Sequence, residues 1–300
     1  QAEVATRGGA RRIVLDFFDL VGLKQASASL KLSSVERTLA LPRVQKPGEE
    51  KIESFFLSLE PEAILVRNLG ELERLRLLFS ELPSGSRRPQ LLGDVSLNGV
   101  NPTSIDVLLG LGLARIAPGL DLNGEQLLSL IDRVPADRVE IPLHHRLPVF
   151  HTEHCVFAAF LSEGRDFRTC GRPCDRHRLE LEDRTGQRHP VVADVGCRNT
   201  VFSAAPQSSL PYLAELRRRG VSHFRIELID EDAEATARTL DIYRLVWNGV
   251  LRVENALATL RAEGRFGVST GSPEPARRLD IKPVGGKKRI PRVRTPRPRG

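Results

Sequence analysis

Methionine is absent from all 300 residues, even at position 1, and tryptophan occurs once and tyrosine twice. A chain of this length normally carries several methionines, so the missing initiator points to a trimmed N-terminus or to part of a longer polypeptide. No run of 18 apolar residues exists, which excludes a membrane-spanning helix. Residues 1–12 lack the basic-then-apolar pattern of a secretion signal, so a cytoplasmic location is expected. There is no G-x-S-x-G elbow, no H-E-x-x-H helix and no P-loop, and Gly110-Leu-Gly112 lacks the third glycine of a dinucleotide fingerprint. What remains, 40% hydrophobic and 28% charged, is enough to bury a core and excludes disorder throughout.

Charge is unevenly spread. Between Ala276 and Gly300 ten Lys and Arg face one Asp, so this stretch carries +9 of a net +7 and the rest of the chain is slightly negative. With four prolines and no aromatic residue, the stretch reads as a disordered basic tail that tracks a phosphate backbone without reading bases. The expected division is therefore a domain over 1–265 and a tail over 266–300.

Within the domain, apolar runs of strand length alternate with helical patterns. The strand candidates are Arg12–Phe17, Leu39–Val44, Ala63–Arg67, Leu91–Leu97, Ala114–Ala117, Val139–Leu143, Val191–Asp194 and His223–Ile229. Helical patterns cover Leu69–Glu81, Ser104–Leu111, Gly124–Arg133, Ser209–Arg219 and Asp232–Val246. The alternation predicts an α/β fold with a parallel sheet. Eight strands suit a (β/α)8 TIM-barrel-like architecture, irregular in places, with a doubly wound open sheet as the alternative. Polar residues stand where strands should finish: Arg67 and Asn68, Asp94 to Asn98, His144 to Arg146, Asp194, Glu227 and Asp230. Leu147–His189 breaks the alternation and reads as a long irregular loop, the kind that carries function.

All four cysteines lie between positions 155 and 197, spaced C-x14-C-x3-C-x22-C, with six of the seven histidines in or beside the same stretch. Disulfides fit poorly with a reducing compartment. Structural zinc usually takes tighter C-x2-C pairs, of which Cys170-x3-Cys174 is the nearest. A four-thiolate iron–sulfur cluster tolerates wide spacing. Spacing alone leaves zinc and the cluster open.

The flanking residues carry a resemblance. Leu147-Pro-Val-Phe-His-Thr-Glu-His-Cys155, Cys170-Gly-Arg-Pro-Cys174 and Ala193-Asp-Val-Gly-Cys197-Arg-Asn-Thr-Val-Phe202, with Gly93-Asp-Val-Ser-Leu-Asn98 and Gly112 to Asn123 upstream, resemble the signature of the collagenase-like "U-thirty-two" peptidases. The stretch Pro42–Glu49 resembles one found in the C-terminal part of long members. The resemblance implies a [4Fe–4S] cluster on Cys155, Cys170, Cys174 and Cys197. It also implies oxygen-independent hydroxylation of a pyrimidine in ribosomal or transfer RNA, or of a ubiquinone precursor, with prephenate as hydroxyl donor.

Around the cysteines, Arg168, Arg172, Arg176 and Arg198 are candidates to hydrogen-bond cluster sulfides or an anion, with Arg172 and Arg198 taken as cofactor-binding. Glu153 and His154 are the candidate acid–base pair, with His151, Asp194, Asn199 and Gln207-Ser208 nearby. Three readings follow: an iron–sulfur RNA hydroxylase, a collagenase-like peptidase, or a non-catalytic iron–sulfur or zinc module that binds RNA or a partner.

Overall fold

A computed structural model of the chain describes residues 1–265, other than 18, 19, 21, 165, 167 and 195, so the expected basic tail lies outside the described residues. Strand β3 (Ala63–Val66) shows how the fold is built. Ile64 and Val66 pack into the large cluster beneath the helices, while Ala63 and Leu65 face the opposite way with Ala40 and Leu92. Both faces are buried, which is why the strand reads as an unbroken apolar run.

Five parallel strands run in order β1 (Arg12–Leu15), β2 (Glu36–Ala40), β3, β4 (Gln90–Gly93) and β5 (Arg115–Ile116). One parallel bridge, Ile116 to Val139, continues to β6 (Glu140–His145). Four antiparallel strands follow: β7 (Pro148–Thr152), β8 (Leu179–Glu182), β9 (Arg188–Ala193) and β10 (Asn199–Phe202). Then β11 (Gln207–Ser208) pairs antiparallel with β6, and β12 (His223–Ile226) pairs parallel with it.

The helices are α1 (Ala2–Arg7), α2 (Leu23–Lys31), α3 (Lys51–Ser58), α4 (Leu69–Glu81), α5 (Pro102–Gly110), α6 (Gly124–Ile131), α7 (Val156–Leu161), α8 (Leu213–Arg218), α9 (Ala233–Trp247) and α10 (Val253–Leu260). Three begin alike. Asn68, Asn101 and Asn123 each accept from a backbone N–H three residues on, and Glu71, Ser104 and Gln126 bond back to the capping residue.

The parallel sheet curls. β1 and β6 are five positions apart in the ladder, about 24 Å in a flat sheet. Yet Arg12 of β1 lies 3.6 Å from Glu140 of β6, which also binds Arg225 of β12 at 2.7 Å. The inner face must therefore wrap around on itself. The closed eight-stranded barrel is not what the strands form. Seven are parallel, and among the described residues no backbone pairing joins β12 to β1.

The eighth candidate, Val191–Asp194, belongs to β9 of the antiparallel sheet. Asp183 Oδ1 accepts from the backbone of Thr185 and Gln187, closing a tight turn. A linker that short joins β8 and β9 as a hairpin and has no room for a parallel crossover. The segment expected as an irregular loop, Leu147–His189, thus holds β7, α7, β8 and the start of β9.

Two buried carboxylates meet between α3 and α4. Oε1 of Glu71 and Oε2 of Glu53 have no hydrogen-bond partner, and the two residues are 1% and 0% exposed. Burial, with Glu53 adding to it against backbone N–H donors from Arg67 and Asn68, raises the Glu71 carboxyl from 4.5 to about 7. The folded state therefore holds the proton more tightly than the unfolded chain. Stability from this group is full below pH 4.5 and is lost as pH climbs to about 7. Glu71→Gln should add about 1–3 kcal/mol at pH 8 and little at pH 4. Thermal melts at both values check it, and equal effects would refute it.

Candidate metal centre

The antiparallel strands form a sheet in the order β7-β10-β9-β8. Around it the four cysteines come from four separate pieces of chain. Cys155 precedes α7, Cys170 ends the following loop, Cys174 sits in the short 3-10 turn Pro173–Asp175, and Cys197 occupies the β9–β10 turn. Asn199 ties two of these together: its Oδ1 accepts from Val156 N at 2.7 Å, joining the start of α7 to the Cys197 turn. That turn is folded over its own arginine. Arg198 is fully buried and donates from its backbone N and Nε to Asp194, at 2.9 and 3.0 Å. The guanidinium lies so close to Gly196 that a Cβ there would come within 2.4–2.6 Å of it. Cys197 takes a left-handed φ of 58°, which the Asp194–Arg198 bonds hold in place.

All four cysteines line one cavity of about 600 Å³. Phe157, Leu179 and Val191 supply apolar wall, and Arg172, His177 and Asp230 supply polar wall. Each cysteine is half-buried, and no disulfide joins any of them. Burial raises the Cys174 thiol, with Asp175 and Cys155 adding to it. Burial also raises Cys197, and the other three cysteines push the same way. Surroundings that hold back the ionisation of Cys174 and Cys197 make their thiolates costly unless a cationic group sits among the sulfurs. Four thiols around one cavity are the donor set an iron–sulfur cluster takes. Among the described residues, no three His, Cys, Asp or Glu side chains close to a common ligating distance.

A second polar region lies at the C-terminal ends of the parallel strands. Six of the seven end on or near a charged or imidazole side chain: Asp16 after β1, Arg43 after β2, Arg67 after β3, Asp94 after β4, His145 closing β6 and Glu227 after β12. Arg67 bonds Asp94 at 3.0 Å and Asp16 at 2.9 Å. Arg225 bonds Asp94 at 2.7 Å and Glu227 at 2.9 Å. Burial raises the Asp94 carboxyl, but Arg225 and then Arg67 outweigh it and hold it well below the usual carboxylate range.

A family model described as Peptidase family U32 matches residues 54–266, more than half the chain and all four cysteines. The chain belongs to peptidase family U32. Among solved structures it is similar to the U32 peptidase Mk0906, at 13% identity and a TM-score of 0.33, over 47% of this chain and 59% of that one. It is also similar to chitinase ChiW from Paenibacillus sp. strain FPU-7, at 10% identity and a TM-score of 0.36, over 78% of this chain and 35% of that one. No curated protein matches it. Among the described residues no helix is long and apolar enough to cross a membrane.

In this U32 chain the other predicted site residues are distributed unevenly. Arg172 borders the cavity and pairs with Asp175 at 3.0 Å. Arg198 stands behind Cys197, with Glu49 3.8 Å from its Nη1. Arg176 donates to Gly171 O, and Arg168 N is held by Asp166. Glu153 and His154 are exposed and do not line the cavity. Glu153 pairs with Lys46, which lowers its carboxyl, and His154 N bonds Thr152. His151 meets Thr200 at 3.0 Å. Asp194 lines the cavity, whereas Gln207 and Ser208 belong to the strand ends. His177 of the cavity, and Asp16, Arg43 and Arg225 of the strand-end network, carried no motif in the sequence, while Asp230, marked as a strand-end polar residue, lines the cysteine cavity.

Proposed function

We propose that this chain is an iron–sulfur enzyme that hydroxylates a pyrimidine of ribosomal or transfer RNA without molecular oxygen. The observation behind the reading is the convergence of Cys155, Cys170, Cys174 and Cys197 on one cavity of about 600 Å³. As thiolates they would hold a [4Fe–4S] cluster, which supplies one-electron redox chemistry when bound. The chain's own residues have separable tasks. Asp194 and Arg198 fix the Cys197 turn, and Asn199 fixes the approach of Cys155. Phe157, Leu179 and Val191 keep water from the cavity wall. Arg172 presents a guanidinium to sulfide or to a substrate anion.

On this reading Glu153 and His154 handle protons only for a substrate held outside the cavity. Prephenate is the hydroxyl donor the family resemblance suggests, and the basic tail is a salt-sensitive contact to RNA phosphates in the cytoplasm. The curled parallel sheet is read as an irregular relative of the (β/α)8 barrel, with its open seam between β12 and β1.

The test is iron, acid-labile sulfide and zinc per chain, on protein purified without oxygen. About four iron and four sulfide with no zinc are expected. One zinc and no iron after anaerobic reconstitution would overturn the proposal and leave a structural zinc module.

A further inference from the structure

The stretch Pro42–Glu49 lies in the scaffold loop from β2 to α3 and gives no residue to the cysteine cavity. It nevertheless touches the cysteine sheet at both of its critical ends. Lys46 pairs with Glu153, just before Cys155. Glu49 Oε2 lies 3.8 Å from Nη1 of Arg198, the residue after Cys197. Arg43 stands over the ring of Phe202, at the far end of β10, 5.8 Å from the ring centre. One loop of the scaffold thus grips the chain beside the first cysteine and beside the last.

The grips differ in strength. The Lys46 and Glu153 side chains are 50% and 56% exposed, so water screens the pair and it holds little. Arg198 is 0% exposed. Its Nε bonds Asp194 at 3.0 Å, while Nη1 and Nη2 are buried without a hydrogen-bond partner. A buried guanidinium satisfied on one edge alone depends on the anion that faces its other edge. Among the described residues Glu49 is that anion. The same Oε2 accepts from Lys46 N at 2.9 Å, so the loop's own backbone aims it. Gln45 Nε2 donates to Glu49 O at 3.0 Å and closes the loop on itself.

From Glu49 the contacts run through Arg198 to Asp194. Its Oδ1 accepts from Gly196 N at 2.8 Å and from Arg198 N at 2.9 Å, which shapes the turn carrying Cys197. We propose that Glu49 is a positioning residue of the metal centre. It holds Arg198 from behind, and Pro42–Glu49 is the strap that keeps the Cys197 turn in ligating shape. The proposal rests on the reading that the four cysteines hold a metal group, and it adds a residue outside the cavity to what keeps that group bound.

The test is the rate at which the anaerobically prepared full chain gives up its metal to excess chelator, read as coloured chelate. Glu49→Gln keeps the shape and removes the charge. Release should quicken about tenfold, the lower end of what supporting partners of metal ligands contribute. Glu49→Asp should fall between, and Lys46→Met, which cuts only the exposed pair, should change the rate by less than about fivefold. In an Arg198→Lys background Glu49→Gln should add little, because its route is gone. Should Arg198→Lys not fold, the Glu49 and Lys46 rates still decide. The metal-free wild type and Glu49→Gln should melt within about 3 °C of each other.

Wild-type release from Glu49→Gln, an equal gain in Lys46→Met, or full additivity with Arg198→Lys would each overturn the strap. A larger fall in metal-free Tm would do the same, since it would make Glu49 a support of the fold. The same rates are read on zinc if zinc is what the chain holds. A wild-type chain with neither iron nor zinc after reconstitution would sink the metal reading and the strap together, whereas bound metal with unchanged release sinks the strap alone.

Discussion

Asp94→Ala is expected to lower the unfolding free energy by about 3–5 kcal/mol at pH 7, which would leave the domain near the limit of folding. Asp94 is 3% exposed and is the shared carboxylate of two buried arginines, one from the end of β3 and one from within β12. Alanine leaves both short of negative charge and unties strands on opposite sides of the curl. Each arginine keeps other carboxylates, which sets the upper bound of the loss.

The sign of the pH dependence follows from the depressed carboxyl. Its contribution is complete above the unfolded value of 3.8 and disappears as pH falls toward the folded one. Urea unfolding of the wild type and Asp94→Ala should therefore differ fully at pH 7 and converge on acidification below pH 3.8. Equal stability at pH 7 would mean that the arginine network does not hold the curl.

Cys174→Ala is the second large effect. It should strip iron and acid-labile sulfide from anaerobically prepared protein and abolish the visible absorbance of a cluster. Modification of the RNA base should drop below about one-hundredth of wild type, beyond the tenfold to hundredfold typical of residues that only support a ligand. Far-ultraviolet circular dichroism should not change, because Cys174 lies in a short turn at the edge of the sheet and is only half-buried. Iron retained at the wild-type level would remove this cysteine from the ligand set, and with it the proposed centre.

Much of this was legible in the sequence, and the misses share a cause. Helix α4 falls where its leucine periodicity puts it, starting after Asn68, whose side chain caps it. Arg67, Asp94, His145 and Glu227 were marked as strand-end polar residues, and the structure gathers them. His144, marked with them, points the other way, to the Tyr243 hydroxyl at 3.0 Å, where burial lowers it to about 4.

Strand β2 begins at Glu36, earlier than its apolar run suggests. Arg37, 2% exposed, is buried against Glu62, Ser27 and backbone carbonyls, and a charged residue in such a place looks like loop. Arg225 could not be singled out, because its partner Asp94 lies 131 residues away. The cysteines were legible as a cluster because they are rare. Their sheet was missed because β7 and β8 are short and mostly exposed and residues 153–178, with α7, stand between them.

The β6–β11 pair has an architectural consequence. His145 and Gln207 are opposite one another in that pair, so residues 146–206 leave the scaffold and come back at adjacent points. A segment with neighbouring ends adds little strain to its host, as tolerated domain insertions do. The cysteine sheet is thus a graft: a short turn from 145 to 207 could close the scaffold without it, and the excised piece could be carried to another protein with two adjacent chain ends. The cysteine cavity and the scaffold that carries it can then be exchanged separately.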